Sequence, residues 1–169
     1  MSHDLGPFFQ SETAMNQGMR AAVGASAADT WVRMMVAHHE GEIAMAQVLL
    51  REQPSSGAAN LARSAIAERP GDIAALRELM VDGEGDYEAA RIYLPTLDWM
   101  HDAMMSVQGA GASTAWARKM LQHHRGAVKM TDVLLMRDDV PDDVRKAAHS
   151  TKAIQIDEIA ALERLLRTG

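Results

Sequence analysis

Along this chain, apolar residues return every third or fourth position over long stretches, and short runs rich in proline, glycine and aspartate interrupt them. Spacing of that kind turns one face of an α-helix toward a core. The interruptions fall at Pro54-Ser-Ser-Gly57, Gly83-Glu-Gly85, Gly109-Ala-Gly111 and Asp138-Asp-Val-Pro141, where glycine and proline punctuate the backbone. Between them the pattern predicts long helices over about 28–52, 57–81, 112–137 and 142–167, with leaders near 11–22, 86–94 and 96–107. Asp29 or Thr30, and Ser113 or Thr114, suit helix N-caps. Pro70-Gly71 is expected to kink the second long helix or split it in two. No alternating run is long enough for a strand. Short connections make successive helices antiparallel, so the expected architecture is an all-α four-helix bundle.

The pattern occurs twice. A shift of 85 residues lays 30–50 on 115–135, matching Trp31, Arg33, Met35, His38, His39, Gly41, Met45, Val48, Leu49 and Leu50 with identical residues. Met15 and Met19 meet Met100 and Met104 at the same offset, and with one inserted residue 73–79 meets 159–165. Two copies are too few for a solenoid, so the halves, about 10–84 and 95–169, are expected to pack around a pseudo-two-fold as one domain. Each half supplies a helical hairpin with short leader helices.

At 100° per residue, Trp31, Met35, His38, Glu42, Met45 and Leu49 share one face of the first long helix. Val32, Val36, His39, Ile43, Ala46 and Leu50 form a second stripe, and Arg33, Glu40, Gln47 and Arg51 face water. That width suits a helix touching two neighbours. The duplicate repeats the design with Trp116, Met120, His123, Ala127, Met130 and Leu134, and sets His124 beside Leu121, Val128 and Leu135. Each helix therefore aims two imidazoles inward. Buried imidazoles need partners for both ring nitrogens, and metal coordination supplies one directly.

Composition narrows the metal. Zero cysteine removes disulfides, thiolate sites and cysteine nucleophiles, while thirteen methionines stand against two Phe and two Tyr. Thioether sulfur ignores Mg²⁺ and Ca²⁺ but, with imidazole, suits Cu(I) and Ag(I). The candidate ligands are His38, His39, Met35 and Met45 with His123, His124, Met120 and Met130, and Met15, Met19, Met100 and Met104 add to the same face. The simpler reading of these methionines is flexible core filler. His3 reads as terminal, and His101 and His149, which lack duplicates, as surface or secondary positions. A net charge of -6 without a basic cluster argues against nucleic acid, and no apolar stretch is long enough to span a membrane. The first residues show no secretion signal.

Met-x-x-His-His-x-Gly-x-x-x-Met, at Met35–Met45 and Met120–Met130, followed by the helix carrying Gln155-Ile-Asp-Glu158-Ile159, resembles the domain of unknown function 305 family across nearly the whole chain. That resemblance implies a ferritin-like helical bundle, often exported from bacteria, with copper or silver binding through Met and His in some members. The chain departs from the pattern in places. Arg69-Pro70-Gly71-Asp72 replaces Gln-x-x-Glu in the first half, Leu76 and Leu162 replace methionines, and Glu42 stands where a small residue is usual. The second half is thus the better metal candidate, with Gln155 and Glu158 left to orient His123 or His124.

The leading expectation is a Cu(I) or Ag(I) protein for sequestration or tolerance. Its partners are the metal ion and, as a further one, a second copy in a homodimer. A metal-free bundle whose Met-rich grooves take a partner helix or an apolar ligand is the alternative. A ferritin-like di-iron oxidoreductase ranks below both, because no Glu-x-x-His pair occurs. No nucleophile–base pair or phosphate loop emerges, so no enzyme activity is expected.

Overall fold

The computed structural model describes residues 5–108 and 111–168. Its helices are α1 (Phe9–Ala21), α2 (Ala27–Leu50), α3 (Ser56–Glu78), α4 (Tyr87–Ala90), α5 (Leu94–Met105), α6 (Ala112–Leu135) and α7 (Asp142–Thr168), with a 3₁₀ turn at Arg91–Tyr93 between α4 and α5. Among the described residues there is no strand. The hairpins α2/α3 and α6/α7 form the two halves. α1 lies on α2, α5 lies on α6, and α2 meets α6 at the centre, while α3 and α7 touch only lightly. His3 and Gly109 lie outside the described residues.

Three details differ from the sequence expectation. α2 has more than two neighbours, because α1 and the short α4 pack on it beside α3 and α6. Glycine permits the contact with α1. A Cβ on Gly41 would sit 2.7 Å from Met15 Cβ, and one on Gly126 would sit 3.0 Å from Met100 Cβ. The leader methionines thus lie directly on the inner helices.

The caps also differ. Ser26 caps α2 by accepting from Asp29 N at 3.0 Å, and α6 starts at Gly111 with no side-chain cap. Asp29 instead accepts from Ala25 N and Val81 N and pairs with Arg33 Nε at 2.7 Å, tying the start of α2 to the chain leaving α3. Ser113 Oγ accepts from Ser55 N at 2.9 Å, where α3 begins. Finally, α3 runs through Pro70 without splitting. The proline is exposed, so its missing N–H costs one helical bond, and neighbouring Arg69 anchors the middle of α3 to the core through ion pairs.

Candidate metal centre

The repeat delivers its four imidazoles to one place. At the meeting of α2 and α6, His38 and His123 stack with ring centroids 3.4 Å apart and planes inclined by 18°. His38 Nε2 lies 2.8 Å from the His123 carbonyl oxygen, and His123 Nε2 lies 3.1 Å from the His38 carbonyl oxygen. A carbonyl only accepts, so both rings are the Nε2–H tautomer and each Nδ1 keeps its lone pair. His39 and His124 flank the stack, their centroids 5.8 Å from His38 and 5.3 Å from His123 respectively. All four Nδ1 atoms are buried and make no hydrogen bond.

Burial decides the charge state. Desolvation holds His38 and His124 down to about 3 and pushes His39 and His123 well below the ordinary imidazole value. Neighbouring histidines and Arg69 add to the depression, except that the carbonyl bonds of His38 and His123 and the side chain of Gln155 beside His124 resist it. Neutral imidazole is the form a metal requires.

The sequence-predicted thioethers Met35, Met45, Met120, Met130, Met15, Met19, Met100 and Met104 are all buried in the hydrophobic core. Met15 and Met100 serve packing against Gly41 and Gly126. His149 is exposed and His101 half-buried beside Glu12, so neither joins the centre. For a soft ion the donor chemistry fits, while among the described residues no three of these imidazoles bring ring nitrogens within 4.8 Å of one another. Buried, neutral, unpartnered Nδ1 atoms sit within a thioether-rich core, and the carbonyls that take the Nε2–H protons fix the ring orientations as in known metal-ligating histidines. Leu76 and Leu162, the departures from methionine, line the cavities beside His39 and His124 and bring no sulfur there.

Sequence reasoning underrated Arg69. It is a buried cation, 2% exposed, between α2, α3 and α7. Arg69 Nε lies 2.9 Å from Glu42 Oε2, and its two terminal nitrogens contact Glu158 Oε1 and Asp72 Oδ2. The other oxygens of the same glutamates face His124, whose Nε2 lies 3.5 Å from Glu42 Oε1 and 3.3 Å from Glu158 Oε2. Burial raises the Glu42 carboxyl to about 7, with Arg69 pulling the other way. Glu158 therefore meets His124, while Gln155 is buried with neither amide atom hydrogen-bonded. A signal for Arg69 was present. Glu42 and Arg69 stand where the other half has Ala127 and Gln155, and these two departures from the repeat form one ion pair.

The indoles also part company between halves. Trp31 Nε1–H donates to Thr131 Oγ1 at 3.2 Å, whereas Trp116 Nε1 is buried without a partner and lines a cavity of about 110 Å³ beside His124.

Residues 2–80 and 101–169 match the family described as Domain of unknown function (DUF305). A crystal structure of a DUF305 fragment from Deinococcus radiodurans superposes with a TM-score of 0.63, covering 87% of this chain and 99% of that chain at 20% sequence identity, a likeness of fold. No curated protein matches the chain. The two matched segments take in both halves of the repeat and both His-His pairs, and the chain belongs to the DUF305 family.

Proposed function

We propose that this bundle binds a soft monovalent ion, Cu(I) or Ag(I), for sequestration rather than catalysis. The observation that supports the reading is the pair of neutral imidazoles, His38 and His123, whose Nδ1 lone pairs lack partners inside a core rich in methionine. Imidazole and thioether together select soft ions over Mg²⁺ and Ca²⁺. His38 and His123 would supply Nδ1 donors whose orientation the reciprocal carbonyl bonds already fix. A di-iron centre is less well served. Arg69 already engages one oxygen of each glutamate in the carboxylate cluster, and among the described residues one histidine, His124, lies within ion-pair distance of those glutamates, too few donors for two irons.

The test is an anaerobic Ag(I) or Cu(I) titration of the purified protein with stoichiometry read calorimetrically. Saturable uptake is expected, weakened at least tenfold, about 1.4 kcal/mol, in the His38→Ala/His123→Ala protein. A folded double variant that binds undiminished removes these histidines from the ligand set, and no uptake by the parent protein favours a metal-free bundle.

A further inference from the structure

We infer that Glu42, Glu158 and His124 form a second metal site, separate from the soft-ion centre, built for one borderline divalent ion of the Zn²⁺ class. His124 Nε2 lies 3.3 Å from Glu158 Oε2 and 3.5 Å from Glu42 Oε1, and one donor atom from each of the three residues lies within 4.8 Å of the others. Metal–ligand bonds of about 2.0–2.1 Å in a tetrahedron set its edges at about 3.3–3.4 Å. The two separations match the edges of such a polyhedron. They are too long for good hydrogen bonds between an imidazole and a carboxylate.

The donor set points to the same ion. Glu42, Asp72 and Glu158 place three carboxyl groups around a single guanidinium, that of Arg69, in a largely buried place. One guanidinium leaves carboxylate oxygens without a cationic partner, and a divalent cation would satisfy them. Arg69 leaves the inner oxygens free. It holds Glu42 Oε2 and Glu158 Oε1, so Glu42 Oε1 and Glu158 Oε2 turn to His124. It acts as a positioning residue that braces the ligating carboxylates.

The histidine has its own support. Metal binding at Nε2 places the ring proton on Nδ1, and Gln155 beside it has an amide oxygen with no other partner. The adjoining cavity of about 110 Å³ reaches Glu42, His124 and Glu158 together and leaves a coordination position for water. Only one half builds this site. The residue matching Glu42 is Ala127 and the residue matching Arg69 is Gln155, so the predicted stoichiometry is one ion per chain.

The test uses the full chain and Co²⁺ as a spectroscopic probe, with Zn²⁺ as competitor. One equivalent of Co²⁺ is expected to give visible d–d bands of low-coordinate N/O geometry, displaced by Zn²⁺. Affinity is expected to fall at least tenfold in Glu42→Ala, which installs the other half's residue, and in Glu158→Gln. Prior saturation with Ag(I) is expected to leave the Co²⁺ bands in place, which separates this site from the soft-ion centre. Zn²⁺ is also expected to raise the melting temperature of the parent protein and not that of Glu42→Ala. Should Glu42→Ala fail to fold, the near-isosteric Glu42→Gln takes its place. Absence of Co²⁺ binding by the folded parent protein, or undiminished binding by the Glu42 and Glu158 variants, overturns the inference. Either result leaves the Ag(I) titration free to stand or fall alone.

Discussion

His38 and His123 occupy equivalent positions in the two halves, and each places its Nε2–H on the main-chain carbonyl of the other. The reciprocal bonds and the 3.4 Å stack make the centre of the bundle one unit shared by α2 and α6. His38→Ala and His123→Ala should each destabilise the protein by about 2–4 kcal/mol through the cavity they open. The double variant should cost less than the sum, because both single changes remove the same stack. Urea unfolding of the three proteins checks this, and strict additivity would deny the coupling.

Stability should fall as the medium is acidified, when measured with a chelator present. His38 and His124 protonate only near 3 in the folded state, and His39 and His123 well below their ordinary value of 6.5. The unfolded chain takes up those protons as pH drops below about 6.5, so the stability from the neutral rings is complete above that pH and lost beneath it. Glu42, raised to about 7, and Glu12, also raised by burial, act in the opposite sense and lose their contributions as pH rises from 4.5. Four imidazoles take up more protons on unfolding near pH 5.5 than two carboxyls can release, so stability rises with pH there. Denaturant midpoints at pH 5, 6 and 7 would contradict this by staying level.

Glu12 and Lys119 form a buried ion pair across the halves, with Nζ at 3.0 and 2.9 Å from the two carboxylate oxygens and 2.9 Å from the Met104 carbonyl. The repeat puts Leu97 and Met34 at the equivalent positions, both buried. Lys119→Met alone should cost about 3–5 kcal/mol by stranding Glu12, whereas Glu12→Leu/Lys119→Met should be neutral or stabilising. Thermal melts of the single and double variants distinguish the outcomes, and a double variant as weak as the single would refute the argument.

Thr131 Oγ1 accepts a hydrogen bond from Trp31 Nε1–H and donates one to the Ala127 carbonyl at 2.7 Å. Thr131→Val keeps the shape and leaves a buried indole N–H unpaired, which should cost about 1–3 kcal/mol. An unchanged denaturation midpoint would mean that the indole finds another acceptor.

Gly41→Ala and Gly126→Ala should each destabilise by about 1–3 kcal/mol. The new Cβ would meet the Cβ atoms of Met15 and Met100, which cannot rotate away as their sulfurs can. Replacing the facing methionine by alanine in the same protein should recover part of the loss in calorimetry.

Periodicity and repetition were enough to determine the helices, the duplicated halves, the inward aim of His38, His39, His123 and His124, and the burial of their neighbouring methionines. All of these depend on residues close in sequence or on a pattern present twice. The reciprocal bonding of His38 and His123, the bracing of Glu42 and Glu158 by Arg69, and the seating of Met15 on Gly41 depend on which helices meet and at what depth. Local spacing shows that a residue faces inward but not what it faces, because partners such as Arg69 and Glu158 lie far apart along the chain. Only tertiary packing could decide that the charges added at Glu42 and Arg69 form one buried pair, since burial compels opposite charges to find each other.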